Sequence, residues 1–228
     1  MPPDLHLFSS PGEGDISFIL KACRPYLKDE EAVAAWLPLA SLYAERWQAQ
    51  TREAFRGLAR LVTVNTELMT QPEIESVLRS ASLIYIPGGN TFLLSHRLHL
   101  SGVMPYLRKK VQNGLPVVAF SAGTVFCGPN ILTSRDLNTP ATSHFEGLNA
   151  SPFNFSAHYP LDAHEQSLRD EWLADYHFFH DNPVLMLSDG AYLRVQSRKT
   201  WLADGEAWLL RKDAEKERLQ PGRRIDPQ

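Results

Sequence analysis

The segment PVVAFSAGT, residues 116–124, sets the predicted architecture, because it reads as a buried strand, a tight turn and the start of a helix. The apolar run Val117–Phe120 is typical of a buried strand, and it stops at Ser121. A sharp turn with a serine at its tip needs small neighbours, and Ala119 and Gly123 supply them in the pattern A-x-S-x-G. This is close to G-x-S-x-G, the nucleophile elbow that lifts a serine hydroxyl clear of the sheet. Ser121 is therefore a candidate nucleophile, with an ordinary structural turn as the alternative on this motif alone.

The rest of the chain alternates short apolar runs with helix-like segments, a pattern typical of a parallel sheet covered by helices. Predicted strands lie at residues 5–8, 35–39, 61–64, 82–87 and 184–187. Predicted helices lie at residues 16–26, 46–58, 71–80, 104–112 and 165–176. Closer to the C-terminus, apolar runs between residues 191 and 210 predict antiparallel strands, with Asp204–Gly205 as a hairpin turn.

These elements predict one α/β domain with a mostly parallel sheet flanked by helices and a small antiparallel addition near the C-terminus. The predicted domain spans residues 1–210, and the charged residues 211–228 are predicted to form a frayed tail. A length of 228 residues is enough for one such domain with a sizeable core.

Composition and charge argue against several classes of protein. A hydrophobic fraction of 43% and a charged fraction of 21% are ordinary for a globular protein, and a net charge of −3 argues against a nucleic-acid partner. We find no stretch that approaches a membrane span and no signal-peptide pattern at the start. The two cysteines, Cys23 and Cys127, lie far apart and predict free buried thiols in a reducing compartment. We therefore expect a cytoplasmic protein that binds neither nucleic acid nor membranes.

Two glycines after another predicted strand mark a candidate ligand site. The strand over residues 82–87 is followed by Gly88, Gly89, Asn90 and Thr91. Open α/β sheets bind ligands at the carboxyl ends of their strands, and bare glycine backbone can donate N–H groups to a developing oxyanion. Asn90 and Thr91 are candidate substrate-binding residues, with helix capping after a plain turn as the alternative.

Ser121 needs a base, because a serine hydroxyl is a weak nucleophile until its proton is removed. His158 is the candidate base, and Asp189, which ends a predicted strand, is the candidate acid that orients it. This triad runs serine, histidine, acid, whereas α/β-hydrolases place the acid before the histidine. His177 and His180 lie three residues apart with no evident third ligand, so we predict a surface or capping role for them and no metal site.

Four segments of the chain together resemble the peptidase E family of serine peptidases, also called dipeptidase E or aspartyl dipeptidase. They are IPGGNTFLL (86–94), PVVAFSAGTVFCGPNILTSRDL (116–137), FNFSAHY (153–159) and VLMLSDGAYLRV (184–195). Their order and spacing are similar to those of the family, and the resemblance extends from about Leu5 to Trp208. It implies a three-layer fold related to class I glutamine amidotransferases.

The resemblance also implies roles for particular residues. Ser121 is the nucleophile, His158 is the general base, and Asp189 holds the position where the best-known members have glutamate. The backbone N–H groups of Gly89 and Ala122 are implied to form the oxyanion hole.

Other positions match the family less closely. Asp136 falls on a family aspartate in the loop after the elbow and is given a supporting role. Ala119 stands where the family has glycine. His164 stands where the family has the arginine that binds an N-terminal aspartate, and neutral histidine cannot form the bidentate contact that arginine makes with a carboxylate. Arg169 could replace that arginine only if the preceding loop shifts its register.

The sequence therefore predicts a serine peptidase that hydrolyses dipeptides or short peptides through an acyl-enzyme, with N-terminal aspartate as the specificity that the resemblance implies. One alternative is a related isopeptidase or esterase with the same triad, and another is a non-catalytic binding protein on the same fold. The expected partner is a small peptide substrate, without a metal or organic cofactor, and the chain is expected to be a monomer or a homodimer.

Overall fold

Two sheets carry the architecture, and the computed structural model describes them over residues 2–10, 16–197 and 199–227. In chain order, the strands in these ranges are β1 (Asp4–Phe8), β2 (Val33–Trp36), β3 (Arg60–Thr63), β4 (Ala81–Ile86), β5 (Val117–Phe120), β6 (Asn154–Ser156), β7 (Val184–Leu187), β8 (Tyr192–Gln196), β9 (Lys199–Asp204), β10 (Ala207–Leu210), β11 (Glu217–Arg218) and β12 (Arg224–Ile225). The α-helices are α1 (Ser17–Cys23), α2 (Glu45–Phe55), α3 (Gln71–Ser80), α4 (Thr91–Leu100), α5 (Met104–Gln112), α6 (Ala122–Phe126) and α7 (Ala163–Phe179).

The larger, main sheet has the strand order β12-β9-β8-β1-β5-β4-β2-β3. From β1 to β3 in this order every neighbouring pair is parallel, and β8, β9 and β12 extend the sheet with antiparallel pairs. The second sheet has the order β11-β10-β7-β6, in which β6 and β7 are parallel and the other pairs antiparallel. The predicted α/β class, a mostly parallel sheet with a small antiparallel addition, is confirmed.

Successive side chains of a strand point to opposite faces of the sheet, so the core is divided between the two faces of the main sheet. In β4, Ile84 and Ile86 join one apolar cluster, whereas Leu83 and Tyr85 join another. Residues of α3, α4 and α5 belong to the first cluster, and residues of α1 and α2 belong to the second. The sheet is therefore a central layer between two layers of helices. A strand covered on both faces reads as an unbroken apolar run, which is why the run before Ser121 indicated β5.

Strand β2 begins earlier than predicted and ends at Trp36 rather than at residue 39. Val33–Trp36 pairs with both β3 and β4, whereas Pro38 has no N–H to donate to a ladder. The chain after β2 turns instead toward the glycine-rich loop, where the N–H of Asn90 donates to the carbonyl of Ala40 at 2.8 Å.

The turn at Asp204–Gly205 does not form the predicted hairpin. The strand before it, β9, belongs to the main sheet, and the strand after it, β10, belongs to the second sheet. Gly205 has a φ of 78°, and a Cβ at this position would lie 2.6 Å from the Cα of Ala191. Glycine is required because the backbone must approach another segment closely while it passes from one sheet to the other.

The C-terminal residues are paired rather than frayed, in contrast to the prediction for this segment. Strand β11 pairs with β10, β12 pairs with β9, and Leu219 and Ile225 are buried. Isolated apolar residues among charged ones carry no periodic signal, so the order of this segment comes from the sheet edges that it covers.

Two further findings concern the chain as a whole. Cys23 and Cys127 are free and buried, as predicted. In the part of the chain that the structure describes, no helix has the length and apolar character that crossing a bilayer requires.

Candidate active site

Ser121 occupies a strained turn between β5 and α6. Its φ of 51° and ψ of −117° are unusual for a residue with a side chain. The turn is held by the N–H of Ser121, which donates to the carbonyl of Phe8 at 3.0 Å, and by the hydroxyl of Thr124, which donates to the same carbonyl at 2.7 Å. A Cβ at Gly123 would lie 2.3 Å from the carbonyl oxygen of Ile86. Glycine is needed at position 123, whereas the methyl group of Ala119 fits, fully buried, in the sheet.

Ser121, His158 and Asp189 form a connected chain of hydrogen bonds. Ser121 Oγ lies 2.8 Å from His158 Nε2, and His158 Nδ1 lies 2.6 Å from Asp189 Oδ1. An ionised carboxylate only accepts, so the proton of the neutral imidazole is assigned to Nδ1 and Nε2 is left to accept from the serine. This is the arrangement that a general base needs in order to activate a hydroxyl nucleophile. The side chains of His158 and Asp189 are 48% and 67% exposed, so the triad is open to solvent.

The triad is assembled from strand ends of both sheets. Ser121 follows β5 of the main sheet, whereas His158 follows β6 and Asp189 follows β7 of the second sheet. Because β6 and β7 are parallel neighbours, their carboxyl ends lie side by side and bring the histidine next to the aspartate. His158 has a φ of 55°, a conformation that non-glycine residues adopt only in special turns.

Ser9 connects the two sheets beneath the triad and was not predicted from the sequence. Its hydroxyl donates to the carbonyl of Leu187 at 3.0 Å and accepts from the N–H of His158 at 2.9 Å. The same oxygen lies 3.5 Å from Asp189 Oδ1. Ser9 is fully buried, at the end of β1, which is the parallel neighbour of β5. Its place at a strand end was the available signal, but the sequence does not reveal partners about 150 to 180 positions away.

The glycine-rich loop lies against the nucleophile. A Cβ on Gly88 would lie 3.0 Å from the Cβ of Ser121, and a Cβ on Gly89 would lie 2.4 Å from the carbonyl oxygen of Ala40. Gly89 also has a φ of 135°, which disfavours any side chain. On the other side of Ser121, Ala122 is the first residue of α6, where a helix has N–H groups with no acceptor inside the helix.

Asn90, Thr91 and Asp136 connect the glycine-rich loop to the loop after the elbow. Asn90 caps α4 by accepting from the N–H of Leu93 at 2.9 Å, and its amide nitrogen donates to the carbonyl of Leu137 at 2.8 Å. Asp136 accepts from both the N–H and the hydroxyl of Thr91 at 2.7 Å. These contacts give Asn90 and Thr91 capping and bracing roles, and they show how Asp136 supports the loop.

Arg169 lies beside the triad, whereas His164 does not. His164 is exposed in the first turn of α7. Arg169 is 6% exposed, and its guanidinium donates to Ser156 Oγ at 2.7 Å and to the carbonyl of His158 at 3.3 Å. Burial and, to a lesser degree, Arg135 lower the pKa of Arg169 to about 10, so the group stays charged at neutral pH.

Two cavities of different chemical character meet at Ser121 and His158. A cavity of about 210 Å³ is lined by polar groups that include Arg135, Asp136 and Arg169. A cavity of about 410 Å³ on the side of Gly88 is lined mainly by aromatic and other apolar residues. An extended substrate whose scissile bond lies at Ser121 can therefore place groups of different polarity in the two cavities.

The residues that come nearest to a metal-binding group among those described lie outside the triad. Ligand atoms of His99, His144 and Glu146 lie within 4.8 Å of one another. The two imidazole rings are stacked, with centroids 4.5 Å apart and planes 4° from parallel. Imidazole lone pairs lie in the ring plane, so they cannot converge on one ion without rotation of a ring. His177, considered above, bonds the carbonyl of Asn182 through Nε2 at 3.2 Å.

Comparisons with known proteins identify the family of the chain. The sequence matches peptidase family S51 over residues 5–202. It is 36% identical over 194 residues to a probable alpha-aspartyl dipeptidase of Drosophila melanogaster, covering 82% of this chain and 79% of that protein. It is 26% identical over 228 residues to peptidase E of a Nostoc species, covering 94% and 90% of the two chains.

Solved structures share the fold. A peptidase from an acI-B1 actinobacterium superposes with a TM-score of 0.73 at 17% identity, covering 99% of this chain and 97% of that one. A putative peptidase E protein from Listeria monocytogenes EGD-e superposes with a TM-score of 0.67 at 19% identity, covering 89% and 98%. These two structures show the shared fold, and the family match over residues 5–202 together with the 36% identical relative shows that the chain belongs to peptidase family S51 and is a serine-type peptidase.

Proposed function

We propose that the protein is a dipeptidase that cleaves the bond after an N-terminal aspartate, with Ser121, His158 and Asp189 as its catalytic triad. The observation that carries the proposal is the pair of short hydrogen bonds, 2.8 Å and 2.6 Å, that join the three side chains in the order a serine nucleophile needs. The names of the relatives, probable alpha-aspartyl dipeptidase and peptidase E, support the choice of substrate.

The reaction proceeds in two steps through an acyl-enzyme. Ser121 Oγ attacks the scissile carbonyl carbon while His158 Nε2 takes the hydroxyl proton, and Asp189 stabilises the imidazolium that forms. The tetrahedral intermediate collapses as His158 gives that proton to the peptide nitrogen. The C–N bond breaks, and the second residue leaves as a free amine. Water then attacks the ester carbonyl while His158 takes a proton from it, and His158 passes that proton to Ser121 Oγ as the bond to the aspartate breaks. The backbone N–H groups of Gly89 and Ala122 stabilise the oxyanion in both steps.

The basic cavity supplies the aspartate site. Arg135 and Arg169 line the 210 Å³ cavity that Ser121 and His158 also line. A guanidinium binds a carboxylate through two parallel hydrogen bonds. Arg169 also holds the backbone of His158, so its contact with the substrate carboxylate is coupled to the position of the base. His164 is exposed on the first turn of α7 and is not among the residues that line this cavity.

The test is hydrolysis of an X-Leu panel in which X is acidic, basic, polar or apolar. We expect activity on Asp-Leu, and we expect Ser121→Ala and His158→Ala to lower kcat by at least about a thousandfold. Arg135→Gln should raise KM for Asp-Leu while leaving the folded structure intact. His164→Ala is the matched histidine control and should keep wild-type activity.

The outcomes separate the alternatives. Full activity of Ser121→Ala would contradict the mechanism. Activity on X-Leu peptides without acidic X, lost in Ser121→Ala, would keep the mechanism and contradict the aspartate site. An active-site phosphonate that leaves Ser121 unlabelled, with no hydrolysis of the panel, would contradict the enzyme proposal and support a binding protein.

A further inference from the structure

We infer that the apolar cavity beside Ser121 binds the side chain of the leaving residue, and that this residue is bulky and apolar or aromatic. This inference rests on the proposed function, because it takes Ser121 as the attacking group. It concerns the half of the substrate that the aspartate site does not recognise.

The floor of this cavity is formed by aromatic residues on neighbouring strands of the main sheet. Trp36 ends β2, Tyr85 lies in β4 and Phe120 ends β5, and all three line the cavity of about 410 Å³. Trp36 and Tyr85 are 2% and 3% exposed, and the rings of Tyr85 and Phe120 lie 6.3 Å apart. Their packing within the sheet preforms the surface, so a ligand does not have to order it.

The position of the floor is fixed relative to the nucleophile. Phe120 directly precedes Ser121 in the chain, and a Cβ on Gly88 would lie within 2.8 Å of the Phe120 ring. The cavity therefore begins at the scissile bond. A side chain next to that bond reaches the aromatic surface without an intervening residue.

The opposite wall is one face of α2. Ala44, Trp47 and Thr51 line the cavity at spacings of three and four residues, which places them on one side of the helix. Further along the same helix, Phe55 is fully buried and stacks with Tyr85 at 5.9 Å. The helix thus packs on the sheet at its C-terminal end and separates from it at the cavity. Trp47 is left 58% exposed there, and an apolar ligand would cover part of it.

Because the lining has few charged groups, it disfavours charged side chains of the substrate. Apart from His158, the described lining residues carry no acidic or basic group, and burial raises the pKa of Tyr85 far above neutrality. A lysine or glutamate side chain placed here would lose hydration without gaining an ionic partner among these described residues, which is costly. The other cavity, of about 210 Å³ on the far side of Ser121, is instead lined by Arg135 and Arg169. The preferred substrate is therefore an acidic residue followed by a large apolar one.

The test compares kcat/KM for Asp-Phe, Asp-Leu, Asp-Ala and Asp-Lys. We expect Asp-Phe and Asp-Leu to exceed Asp-Ala by at least about tenfold, since apolar pockets discriminate by this much for small differences in buried surface. Ala44→Phe fills the cavity and should lower kcat/KM for Asp-Phe by about tenfold or more relative to kcat/KM for Asp-Ala, so that the preference for Asp-Phe is lost. The matched control is Ala49→Phe, because Ala49 is exposed on the same helix and outside this lining.

A second variant tests the inference if Ala44→Phe fails to fold. Trp47→Ala removes part of the exposed wall and should reduce the preference for Asp-Phe over Asp-Ala. Tyr43→Ala is its control, because Tyr43 is a similarly exposed aromatic residue, 55% against 58%, that does not line the cavity. Equal kcat/KM for Phe, Leu, Ala and Lys at the second position would overturn the inference while leaving the peptidase proposal intact.

Binding to Ser121→Ala separates failure of this inference from failure of the chemistry. Calorimetry on that variant should give a lower Kd for Asp-Phe than for Asp-Ala, and Ala44→Phe in the same background should remove the difference. Equal Kd values would overturn the inference even if the wild-type protein hydrolysed neither peptide.

Discussion

At the scale of single residues, Ser9 connects the segments that carry the base and the acid of the proposed triad. Its hydroxyl accepts a hydrogen bond from the N–H of His158 and donates one to the carbonyl of Leu187, two residues before Asp189. Removing its hydroxyl would break both hydrogen bonds, each of which contributes about 0.5–1.5 kcal/mol. The base and the acid would then be free to move relative to Ser121.

We predict that Ser9→Ala lowers kcat by about tenfold or more while KM changes little. Steady-state kinetics on Asp-Leu measure this split, and the rate of inactivation by a serine-directed phosphonate should fall in parallel. Ser95→Ala is the matched control, because Ser95 is also fully buried and donates to one backbone carbonyl, that of His144, at 2.8 Å. Equal loss of stability in both variants with equal kcat would show that Ser9 has only a structural role.

The same scale shows what sequence can predict about a site. Ser121, His158 and Asp189 each follow a strand or an aromatic segment that can be recognised from neighbouring residues. The structure brings the three side chains together. The roles of Arg169 and Ser9 are less visible in the sequence, because the hydrogen bonds that define these roles are made to other segments of the chain. Whether Arg169 lies in the site depends on how α7 packs under His158, and residue types at adjacent positions do not encode that packing.

At the scale of elements, the elbow depends on how closely α6 approaches β4. Gly123 faces the carbonyl of Ile86 so closely that a methyl group would lie 2.3 Å from that oxygen. Both partners are backbone, so neither can move aside as a flexible side chain could. The prediction of a strand, a turn and a helix was correct here because small residues are needed where a helix meets a sheet.

Gly123→Ala should therefore reduce the free energy of unfolding by about 1–3 kcal/mol and also lower kcat, because the helix that carries the Ala122 N–H must shift. Urea denaturation and kinetics measure the two effects. Gly222→Ala is a useful control, because its φ of 81° also disfavours a side chain but no atom lies within 4 Å of the added methyl. A Gly123→Ala protein with wild-type kcat would contradict this account of the elbow.

Element boundaries were predicted less well than element types, for reasons that lie outside each segment. Strand β2 is defined by pairing with two neighbours on its flanks, and its local pattern would equally allow a shifted strand. The Asp204–Gly205 pair has the composition of a hairpin turn, yet its strands belong to different sheets. Turn composition indicates a change of direction but not the strand that the chain joins next.

At the scale of the whole molecule, a partly buried polar network links β1 to β8 of the main sheet and is expected to make stability depend on pH. His6 is 7% exposed and lies 2.6 Å from the Tyr192 hydroxyl and 2.9 Å from the Tyr26 hydroxyl. Burial, aided by Arg194, lowers the pKa of His6 to about 4. Because Tyr26 donates to Asp4, it accepts from Nε2–H of a neutral His6.

This lowered pKa predicts acid destabilisation. Above pH 6.5 His6 is neutral in both the folded and the unfolded state, so its contribution is fully present. As the pH falls from 6.5 to 4 the unfolded state takes up a proton that the folded state excludes. The free energy of unfolding should drop by roughly 3 kcal/mol over this range because of His6.

Urea denaturation at pH 7 and pH 4 checks this expectation. His6→Gln should show a smaller loss of stability between these pH values than the wild-type protein does. His164→Gln, at an exposed position, should behave like wild type. An unchanged pH dependence in His6→Gln would show that other groups cause the acid destabilisation.

The solvent exposure of His158 and Asp189 also bears on the fate of the acyl group in the proposed acyl-enzyme. The side chains of His158 and Asp189 remain 48% and 67% exposed, so solvent reaches the proposed base directly. In the proposed acyl-enzyme, the base is in contact with water at its full bulk concentration, whereas a second peptide would have to compete from dilute solution. If the proposed mechanism holds, we therefore expect the acyl group to pass to water rather than to another amine, so that peptides are degraded and not rejoined.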